Sequence, residues 1–516
     1  MTNPIRFALF LDSLFSWQGG KEYVRNILLS LDAYRKEKRN DSVEVHLFSG
    51  EAIAEGSLDE FRSQADGLHR ISHDFGTNPE SFFRDLEQKK IDVIFPMHNI
   101  WCATNVRPIG WIYDFQHKYQ PELFPESDLA YREASFSQML LSAHRVVVSS
   151  ETSRQDLQKF YPGDDKKIVV LPFATFPKEE WRQADPRQTV QRYHLPERFF
   201  LLSSQFWMHK NHTVVFQALK KLHDEGVDVA LVCTGSLHDY RKPSYVDDLL
   251  AYLHQHGIYK QVRIMGLMPR IDQLQLMRCA LAVVQPSFFE GWSTVLEDAR
   301  TFGKITLSSA LPVHLEQNVP RAEFFQPKDS EHLARLLSTL WQSGHSGFDA
   351  AQEAEAFAQA RARSLAFAES IHRLVADTES FEIYPQKLER ENMLFRPAPG
   401  LHYLPGCAGL RMDGWCNQTI TLRLGPALAG DSLVFEWRIT VAGEPVPVEI
   451  QVGEEKPVQV VVQHGDFRHS ILLNRDHPKT DMVLRFATAS PISAEDPFRA
   501  SALLNSVRIE KAKPAA

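Results

Sequence analysis

The chain has 516 residues and a formal net charge of −8, with 43% hydrophobic and 24% charged residues. At roughly 100–200 residues per domain, this length predicts two or three domains. The composition is typical of a globular protein, and the net negative charge argues against a nucleic-acid partner, which would need a basic face. No apolar run reaches the ~18 residues of a membrane-spanning helix, which leaves room for peripheral membrane association alone.

The cysteines are odd in number and scattered, with neither a Cys-x-x-Cys pair nor metal-ligand spacing: they are Cys102, Cys233, Cys279, Cys407 and Cys416. This pattern predicts reduced core thiols and no metal site, although Cys407 and Cys416 could pair in an oxidising compartment. The amino-terminal apolar run is interrupted by Asp12, which is unlike a signal peptide. We therefore expect a cytoplasmic protein.

The first predicted βα unit is a strand from Ile5 to Leu11 followed by a helix from Lys21 to Leu31. Between them, Gly19 and Gly20 are predicted to form a loop in which the backbone can closely approach a phosphate. A glycine pair before a helix is, however, more often a simple turn.

Two more strands are predicted from Val43 to Phe48 and from Ile91 to Phe95. The loop after the second contains His98, and the residues alone do not decide between a satisfied loop histidine and an acceptor contact. A further strand runs from Ile109 to Tyr113, so Asp114 and His117 follow its carboxyl end, where catalytic groups gather. We regard both as candidate catalytic residues, although a loop histidine is more often merely solvated.

The second half of the chain begins another series of strands and helices with a strand from Phe199 to Ser203. The loop after it holds Gln205 and Lys210, and Lys210 is either a point charge for phosphate or an ordinary residue at a helix start. A strand from Val229 to Thr234 and a short one from Val262 to Met265, followed by Gly266, continue the alternation typical of doubly wound α/β domains.

The most informative stretch is an apolar strand from Leu281 to Val284, a turn containing Glu290 and Gly291, and a helix from Thr294. A strand in which apolar and polar residues do not alternate is typical of a parallel sheet covered on both faces. Ligands bind beyond the carboxyl ends of such strands. Glu297 follows Thr294 by three residues, so a helix-capping box explains it as well as a binding role does.

This region combines a Pro-Ser pair, a Glu-Gly pair, a second glutamate on a helix, and later a glycine and a serine: Pro286, Ser287, Glu290, Gly291, Glu297, Gly303 and Ser308. The combination resembles the nucleotide-binding signature of family 4 glycosyltransferases, which have two Rossmann-like domains in the arrangement called GT-B. The two glutamates are one residue closer together than in the family pattern.

The resemblance implies roles for these residues. Glu290 would lie near the donor sugar and Glu297 would hold ribose hydroxyls, while backbone amides would meet the diphosphate from Gly291, Trp292, Ser293, Thr294 and Val295. A helix N-terminus suits that role because its N–H groups have no intrahelical partner.

Other positions match the family pattern in part. Lys210 matches a lysine on the donor diphosphate, whereas Gln205 stands near the position of a family arginine, so one cation is missing and a nearby histidine, His209 or His212, would have to compensate. Gly266 would follow a strand beside the nucleotide base. Tyr113 replaces the family histidine before Asp114.

The activity implied is transfer of a sugar from a nucleotide-sugar donor, with a GDP-mannose-like donor slightly favoured, to a glycan or glycoconjugate acceptor. The family retains the anomeric configuration and uses no bound metal, so no cofactor is expected. Lys210 and the helix amides would then stabilise the leaving diphosphate.

After Pro385 the pattern changes to short alternating runs separated by Gly, Pro and Asp turns, which predicts a carboxy-terminal antiparallel β-sandwich. The predicted units are two Rossmann-like domains, 1–178 on the acceptor side and 179–360 for the nucleotide sugar, a crossover helix over 361–384 packing back on the first domain, and the sandwich over 385–516. Trp415 and Trp437 could stack on sugars, but core packing is more common for such residues.

Two alternatives stay open. The chain could be a non-catalytic glycan-binding or scaffold protein that uses the sandwich, which could also mediate oligomerisation. It could also be a GT-B relative such as a nucleotide-sugar epimerase.

Overall fold

In the computed structural model, the described residues are 3–15, 17–38, 42–50, 53–71, 79–97, 106–161, 165–345, 347–378, 401–402, 408–410, 415–424, 427–439, 445–477, 480–491 and 499–510. His98, Cys102 and Cys407 lie outside these ranges. None of the helices in these ranges has the length and apolar character needed to cross a membrane.

The helices are α1 (Asp12–Phe15), α2 (Gln18–Lys38), α3 (Pro79–Gln88), α4 (Gln116–Tyr119), α5 (Glu126–Ser142), α6 (Glu151–Phe160), α7 (Glu179–Gln183), α8 (Pro186–Arg192), α9 (His212–Asp224), α10 (Tyr245–Gln255), α11 (Arg270–Cys279), α12 (Thr294–Thr301), α13 (Pro312–Gln317), α14 (Ser330–Gln342) and α15 (Ala350–Ala376). Short 3-10 helices are Glu55–Phe61, Pro121–Leu123, Asp165–Lys167 and Met208–Lys210.

The strands are β1 (Ile5–Phe10), β2 (Val43–Ser49), β3 (Gly67–Arg70), β4 (Val93–Met97), β5 (Arg107–Ile112), β6 (Arg145–Val148), β7 (Ile168–Val170), β8 (Phe200–Ser203), β9 (Leu231–Thr234), β10 (Val262–Ile264), β11 (Val283–Gln285), β12 (Thr306–Ser309), β13 (Ala322–Phe325), β14 (Leu401–His402), β15 (Ala408–Leu410), β16 (Trp415–Leu424), β17 (Ser432–Ile439), β18 (Val446–Val452), β19 (Val458–Val462), β20 (Gly465–Leu472), β21 (Thr480–Phe486), β22 (Ser490–Pro491), β23 (Arg499–Ala500) and β24 (Ala502–Glu510).

The first two sheets are parallel and follow one strand order. The first lobe has the order β3-β2-β1-β4-β5-β6-β7 and the second has β10-β9-β8-β11-β12-β13. In each sheet the strand order proceeds from the first strand, β1 or β8, towards one edge. It then resumes on the other side of that strand, with β4 or β11, and proceeds towards the opposite edge, as in Rossmann-like sheets. The prediction of two doubly wound α/β domains is therefore confirmed, although strands β3 and β13 and helices including α3, α7, α8 and α13 were missed.

The start of α2 corrects the predicted glycine loop. Gly19 and Gly20 lie in the first turn of this helix, which begins at Gln18. A Cβ on Gly20 would stand 2.2 Å from the Leu14 carbonyl oxygen, and one on Gly19 would stand 2.4 Å from the Trp17 ring. The pair therefore allows α1 and Trp17 to pack closely on α2.

Helix α15 contacts both lobes. Near its start, Phe357 packs in a core cluster of the second lobe with Phe302. Towards its end, Phe367 and Ile371 join the core of the first lobe. The exact domain boundaries remain predictions, since packing alone does not define them.

The carboxy-terminal region is antiparallel, as predicted, but its main strands are linked into one sheet with the path β19-β18-β21-β16-β24-β17-β20. β16 makes this link because it pairs with β21 through residues 419–424 and with β24 through Trp415 and Cys416. Trp437 is fully buried and its ring contacts Phe486 of β21 at 5.8 Å, so residues from both halves share one core. Trp437 therefore serves core packing and offers no sugar-stacking surface; the Trp415 side chain lies outside the described structure.

Candidate active site

A cavity of about 380 Å³ lies between the two lobes. The first lobe contributes α1, the start of α2, the loop after β5, and α5, while the second contributes the loops after β8, β9 and β11. The β1, β8 and β11 loops follow strands that flank the points where strand order reverses, which is where open α/β sheets bind ligands.

Lys210 and Glu290 meet in this cavity, as the sequence predicted for residues of one site. The Lys210 ammonium donates a hydrogen bond of 2.7 Å to Glu290 Oε1. The lysine is held by its neighbour Asn211, which adopts a left-handed conformation with φ 58°. The Asn211 side-chain amide donates to the carbonyl oxygens of Pro286 and Pro327 at 2.9 and 2.7 Å, so the loop after β8 is attached to the loop after β11.

The Glu290 carboxylate is held by several donors. Its Oε1 also accepts hydrogen bonds from Gln285 Nε2 at 2.8 Å and Ser287 Oγ at 2.7 Å. Burial raises the pKa of Glu290, but the charges of Lys210 and His314 and the hydrogen bonds from Lys210 and Ser287 outweigh burial and lower it overall. Glu290 is therefore an ionised acceptor at neutral pH.

Gly291 is required where the two lobes touch. A Cβ at this position would stand 2.0 Å from the carbonyl oxygen of Tyr113 in the first lobe. The next residue, Trp292, donates from its indole to the Phe173 carbonyl at 3.1 Å and so adds a contact beside the cavity. Any larger residue at 291 would push the lobes apart.

The N-terminus of α12 differs from the predicted capping box. Ser293, rather than Thr294, is the N-cap, and its Oγ accepts from the amide of Leu296. The Ser293 amide itself donates to Gln317 Oε1 at 3.0 Å, so it is engaged within the protein. Thr294 lines the cavity, whereas Val295 packs against the hydrophobic core.

Glu297 lies deeper than the resemblance implied. Its side chain is buried and outside the cavity lining, and its Oε1 accepts from Gln317 Nε2 at 3.1 Å. Burial raises the pKa of Glu297, and the charges of Arg300 and Arg363 oppose this only in part. Its role towards a ribose stays a prediction.

Arg241 is a cation of the second lobe that sequence reasoning missed. It follows β9 on the loop leading to α10, lines the cavity, and lies over the Trp207 ring at 5.0 Å. The expected substitutes do not carry charge: burial lowers the pKa of His212 to about 3, and burial with the charges of Lys210 and Arg241 holds that of His209 far below its usual value. The motif Asp239-Tyr240-Arg241 after a predicted strand end was the available signal.

Asp114 supplies a carboxylate from the first lobe. Its Oδ1 accepts hydrogen bonds from Arg132 Nη1 and from the Gln116 amide, each at 3.1 Å. Arg132 lies on α5 and covers the rings of Phe124 and Tyr113 at 4.7 and 5.1 Å. This side of the cavity therefore also contains a carboxylate and a cation.

His117 is placed differently from Asp114. It is buried in an aromatic cluster with Phe115 and Phe136, its Nε2 lies 3.4 Å from Glu133 Oε1, and it does not line the cavity. The structure therefore gives no support to a catalytic His117, and the role stays an untested prediction.

Two other predicted positions also lie outside the cavity lining. The backbone carbonyl oxygen of Gln205 accepts a hydrogen bond of 2.7 Å from the Trp207 amide. The backbone carbonyl oxygen of Gly266, which has φ 67°, accepts one of 2.8 Å from the Gly235 amide. Gly19 does line the cavity, and Gly20 does not.

The first-lobe wall of the cavity is aromatic. The Trp111 ring stacks on Tyr23 at 4.6 Å and on Trp17 at 6.4 Å, and Tyr113 packs edge-on against Trp111 at 5.8 Å. Burial raises the pKa of Tyr113 to about 12, so it remains neutral. Flat apolar faces of this kind suit the faces of sugar rings.

Comparison with known proteins agrees with this architecture. The described lobes resemble solved GT-B structures: a glycosyltransferase from Rickettsia africae (TM-score 0.54, 15% identity, 73% of this chain and 100% of that chain) and HepE from Anabaena in complex with UDP and glucose (TM-score 0.52, 15% identity, 72% and 99%). The two lobes therefore have the GT-B fold.

Residues 188–360 match the family Glycosyl transferases group 1. The second lobe is thus a glycosyl transferases group 1 domain. The chain is also similar to O-antigen chain mannosyltransferase B of Escherichia coli, with 26% identity over 221 residues, covering 41% of this chain and 55% of that protein. It therefore spans about half the length of this curated relative.

Proposed function

We propose that the protein is a hexosyltransferase that moves a sugar from a nucleotide-diphosphate donor to a glycan acceptor. The observation that carries this proposal is the cavity itself, in which a partly buried Lys210–Glu290 pair and Arg241 from the group 1 domain face an aromatic wall from the first lobe. An anionic donor and a neutral sugar acceptor match these two surfaces.

The residues suggest a division of roles. Lys210 stabilises negative charge on the leaving diphosphate, together with amides at the α12 N-terminus. Glu290 accepts hydrogen bonds from donor hydroxyls, and Asp114 orients the acceptor hydroxyl. The leaving phosphate takes the acceptor proton, so the reaction needs neither a covalent intermediate on the protein nor a metal ion.

Closure of the lobes supports the chemistry by excluding water. The tight approach of Gly291 to Tyr113 brings the two lobes into contact at the cavity. A water-poor cavity limits hydrolysis of the donor and strengthens the charge contacts inside it.

The donor is the next part of the proposal. Similarity to a mannosyltransferase favours a mannose donor, and the Asp-containing loop after β5 favours GDP-mannose in particular. The proposal also includes retention of the anomeric configuration of the transferred sugar and a cytoplasmic location of the protein.

The test is release of nucleoside diphosphate from a panel of UDP-, GDP- and TDP-linked sugars, with CMP-linked sugars, which can release only CMP, as the comparison class. We expect release from at least one diphosphate donor, unaffected by EDTA, and a melting temperature raised by the matching nucleotide, because a ligand of the folded state stabilises it by RT ln(1 + [L]/Kd). No release from any donor would contradict an enzyme of this kind. NMR of the product's anomeric proton tests retention.

The scaffold alternative loses support at the carboxy-terminal sheet. Trp437 was one of two candidate sugar platforms, and its full burial removes it. Removing residues after 378 tests what remains of that alternative: unchanged acceptor range and oligomeric state would assign the sheet no role in either.

A further inference from the structure

Arg241 is held in the cavity wall by a buried carboxylate. Its Nε lies 3.2 Å from Asp239 Oδ1, and only 5% of the Arg241 side chain and 1% of the Asp239 side chain are exposed. Its Nη2 donates to His209 Nδ1 at 3.1 Å. The guanidinium therefore has a fixed orientation at the cavity and is not a mobile surface cation.

The same carboxylate also holds the loop that carries Lys210. Asp239 Oδ2 accepts a hydrogen bond of 2.9 Å from the Met208 amide, two residues before Lys210. The two cations of the second lobe come from different loops, after β8 and after β9, and Asp239 connects them. Asp239 therefore helps to set their separation, together with the hydrogen bond between Arg241 and His209.

The charges at the cavity indicate why two cations, Lys210 and Arg241, lie there. Lys210 is largely neutralised by Glu290, with which it makes a 2.7 Å ion pair. A diphosphate carries more than one negative charge, so one lysine shared with a glutamate would leave it poorly compensated in a partly dehydrated site. Arg241 is itself paired with Asp239 through Nε, so what it adds is not net charge but the further N–H donors of its two Nη atoms, of which Nη2 already donates one to His209.

We propose that Arg241 binds the diphosphate of the donor beside Lys210, and that Asp239 is the positioning residue that sets both cations. Arginine suits this role because its planar fork forms paired hydrogen bonds with phosphate oxygens. The inference rests on the proposed function and adds a residue and a mechanism of positioning to it.

Arg241 also contacts the first lobe, which supplies a competing explanation. Its guanidinium lies over the Phe124 ring at 5.6 Å and its Nη1 is 3.5 Å from Gln116 Oε1. An arginine that only joined the lobes would affect every ligand of the closed cavity equally. A phosphate ligand would affect only ligands that carry phosphate.

The experiment compares Arg241→Gln with wild type by calorimetry, using GDP with guanosine and UDP with uridine. For the pair that wild type binds, we expect the variant to bind the nucleoside diphosphate roughly 10- to 100-fold more weakly, as for loss of a charged hydrogen-bond donor. Nucleoside affinity should stay within about twofold. Arg241→Lys should recover part of the loss, and Arg335→Gln, at an exposed arginine on α14, is the matched control and should have no effect.

Asp239→Asn tests the positioning role. The amide keeps an oxygen for the Met208 N–H but loses the charge that orients Arg241. We expect a smaller loss of diphosphate affinity, roughly 3- to 10-fold, and no further loss when it is combined with Arg241→Gln. Additive losses in the double variant would show that Asp239 does not act through Arg241.

The outcomes separate this inference from the proposed function. If wild type binds a nucleoside diphosphate and Arg241→Gln binds it equally well, or loses nucleoside binding to the same extent, the role of Arg241 is wrong and the enzyme assignment stands. If wild type binds no nucleotide and releases none from any sugar donor, the proposed function itself fails. Circular dichroism checks that each variant is folded.

Discussion

The two α/β lobes share a strand order but present different surfaces to the cavity between them. At the second lobe the surface carries the ionic groups Lys210, Glu290 and Arg241 beside rings such as Trp207, and we call it the ionic surface. At the first it is mainly aromatic, with Trp17, Trp111 and other rings. The comparison teaches that the sheet topology fixes where a ligand binds, whereas a few side chains after each strand decide its chemistry.

The first way to break this comparison is to remove the lysine of the ionic surface. We expect Lys210→Met to lower kcat/KM for the donor by about 10²–10³, the usual effect of losing one group that stabilises developing negative charge. Lys328→Met, at an exposed lysine of the same lobe, is the control. Steady-state kinetics of nucleoside diphosphate release measure both.

The same pair also tests stability. Lys210→Met leaves Glu290 buried without its cation, so the variant should have a lower melting temperature than wild type. Adding Glu290→Gln to Lys210→Met should raise the melting temperature again, because the unpaired charge is removed, but it should not restore turnover. A double variant that regains activity would contradict the catalytic role of the pair.

On the aromatic surface, Trp17→Ala should act mainly on the acceptor. We expect the acceptor KM to rise roughly 3- to 10-fold, in line with ~0.5–1.5 kcal/mol for an aromatic contact beyond its buried area. Donor KM should change little and Trp17→Phe should be nearly normal. Kinetics with each substrate varied in turn provide the measurement, and an equal rise in donor KM would show that the two surfaces are not specialised.

A third test acts on the contact that joins the lobes away from the cavity. Glu316 of α13 accepts hydrogen bonds from the amides of Glu151 and Thr152 at 2.6 and 2.8 Å, and so caps helix α6 of the first lobe. Glu316→Ala should lower the free energy of unfolding by about 0.5–2 kcal/mol, as for loss of a helix cap. Small-angle scattering should show a larger radius of gyration, whereas Glu331→Ala, at an exposed residue of α14, should leave it unchanged.

The last test concerns a feature that the lobes share, a buried lysine in each. Burial lowers the pKa of Lys167 in the first lobe and of Lys304 in the second from 10.5 to about 7. Between these values the unfolded chain binds more protons than the folded one, so the free energy of unfolding rises with pH from about 7 towards 10.5. Lys167→Met should have its largest gain in melting temperature over wild type at or below pH 7.

The gain should shrink as the pH approaches 10.5, which scanning fluorimetry across this range measures. Lys328→Met serves again as the control, because an exposed lysine should give the same difference at every pH. A gain for Lys167→Met that does not vary with pH would show that this lysine titrates normally.

Several parts of the site could be predicted because they depend on local pattern. The apolar run before Glu290 and Gly291 identified a buried strand with a loop at its carboxyl end, and Lys210 and Asp114 follow other such strands. The structure places these four residues along one cavity. Each prediction needed only the period of a strand and the rule that ligands bind at strand ends.

The structure places other candidate residues away from the cavity, for a physical reason. A sequence pattern does not specify whether Glu297 and His117 face the cavity, and both lie against protein groups, Gln317 and Glu133. Gly20 was placed in a loop because glycine favours turns, yet the contact that requires it is made by Leu14.

The sequence by itself determined the alternation of strands and helices, the change to an antiparallel region after residue 385, and the loops that carry charge, because hydrophobic periodicity and turn residues act over a few positions along the chain. Only the tertiary structure decided that Arg241 joins Lys210 through Asp239, and that Gly291 meets Tyr113. These contacts join residues far apart in sequence, and their geometry follows from how the elements pack against one another.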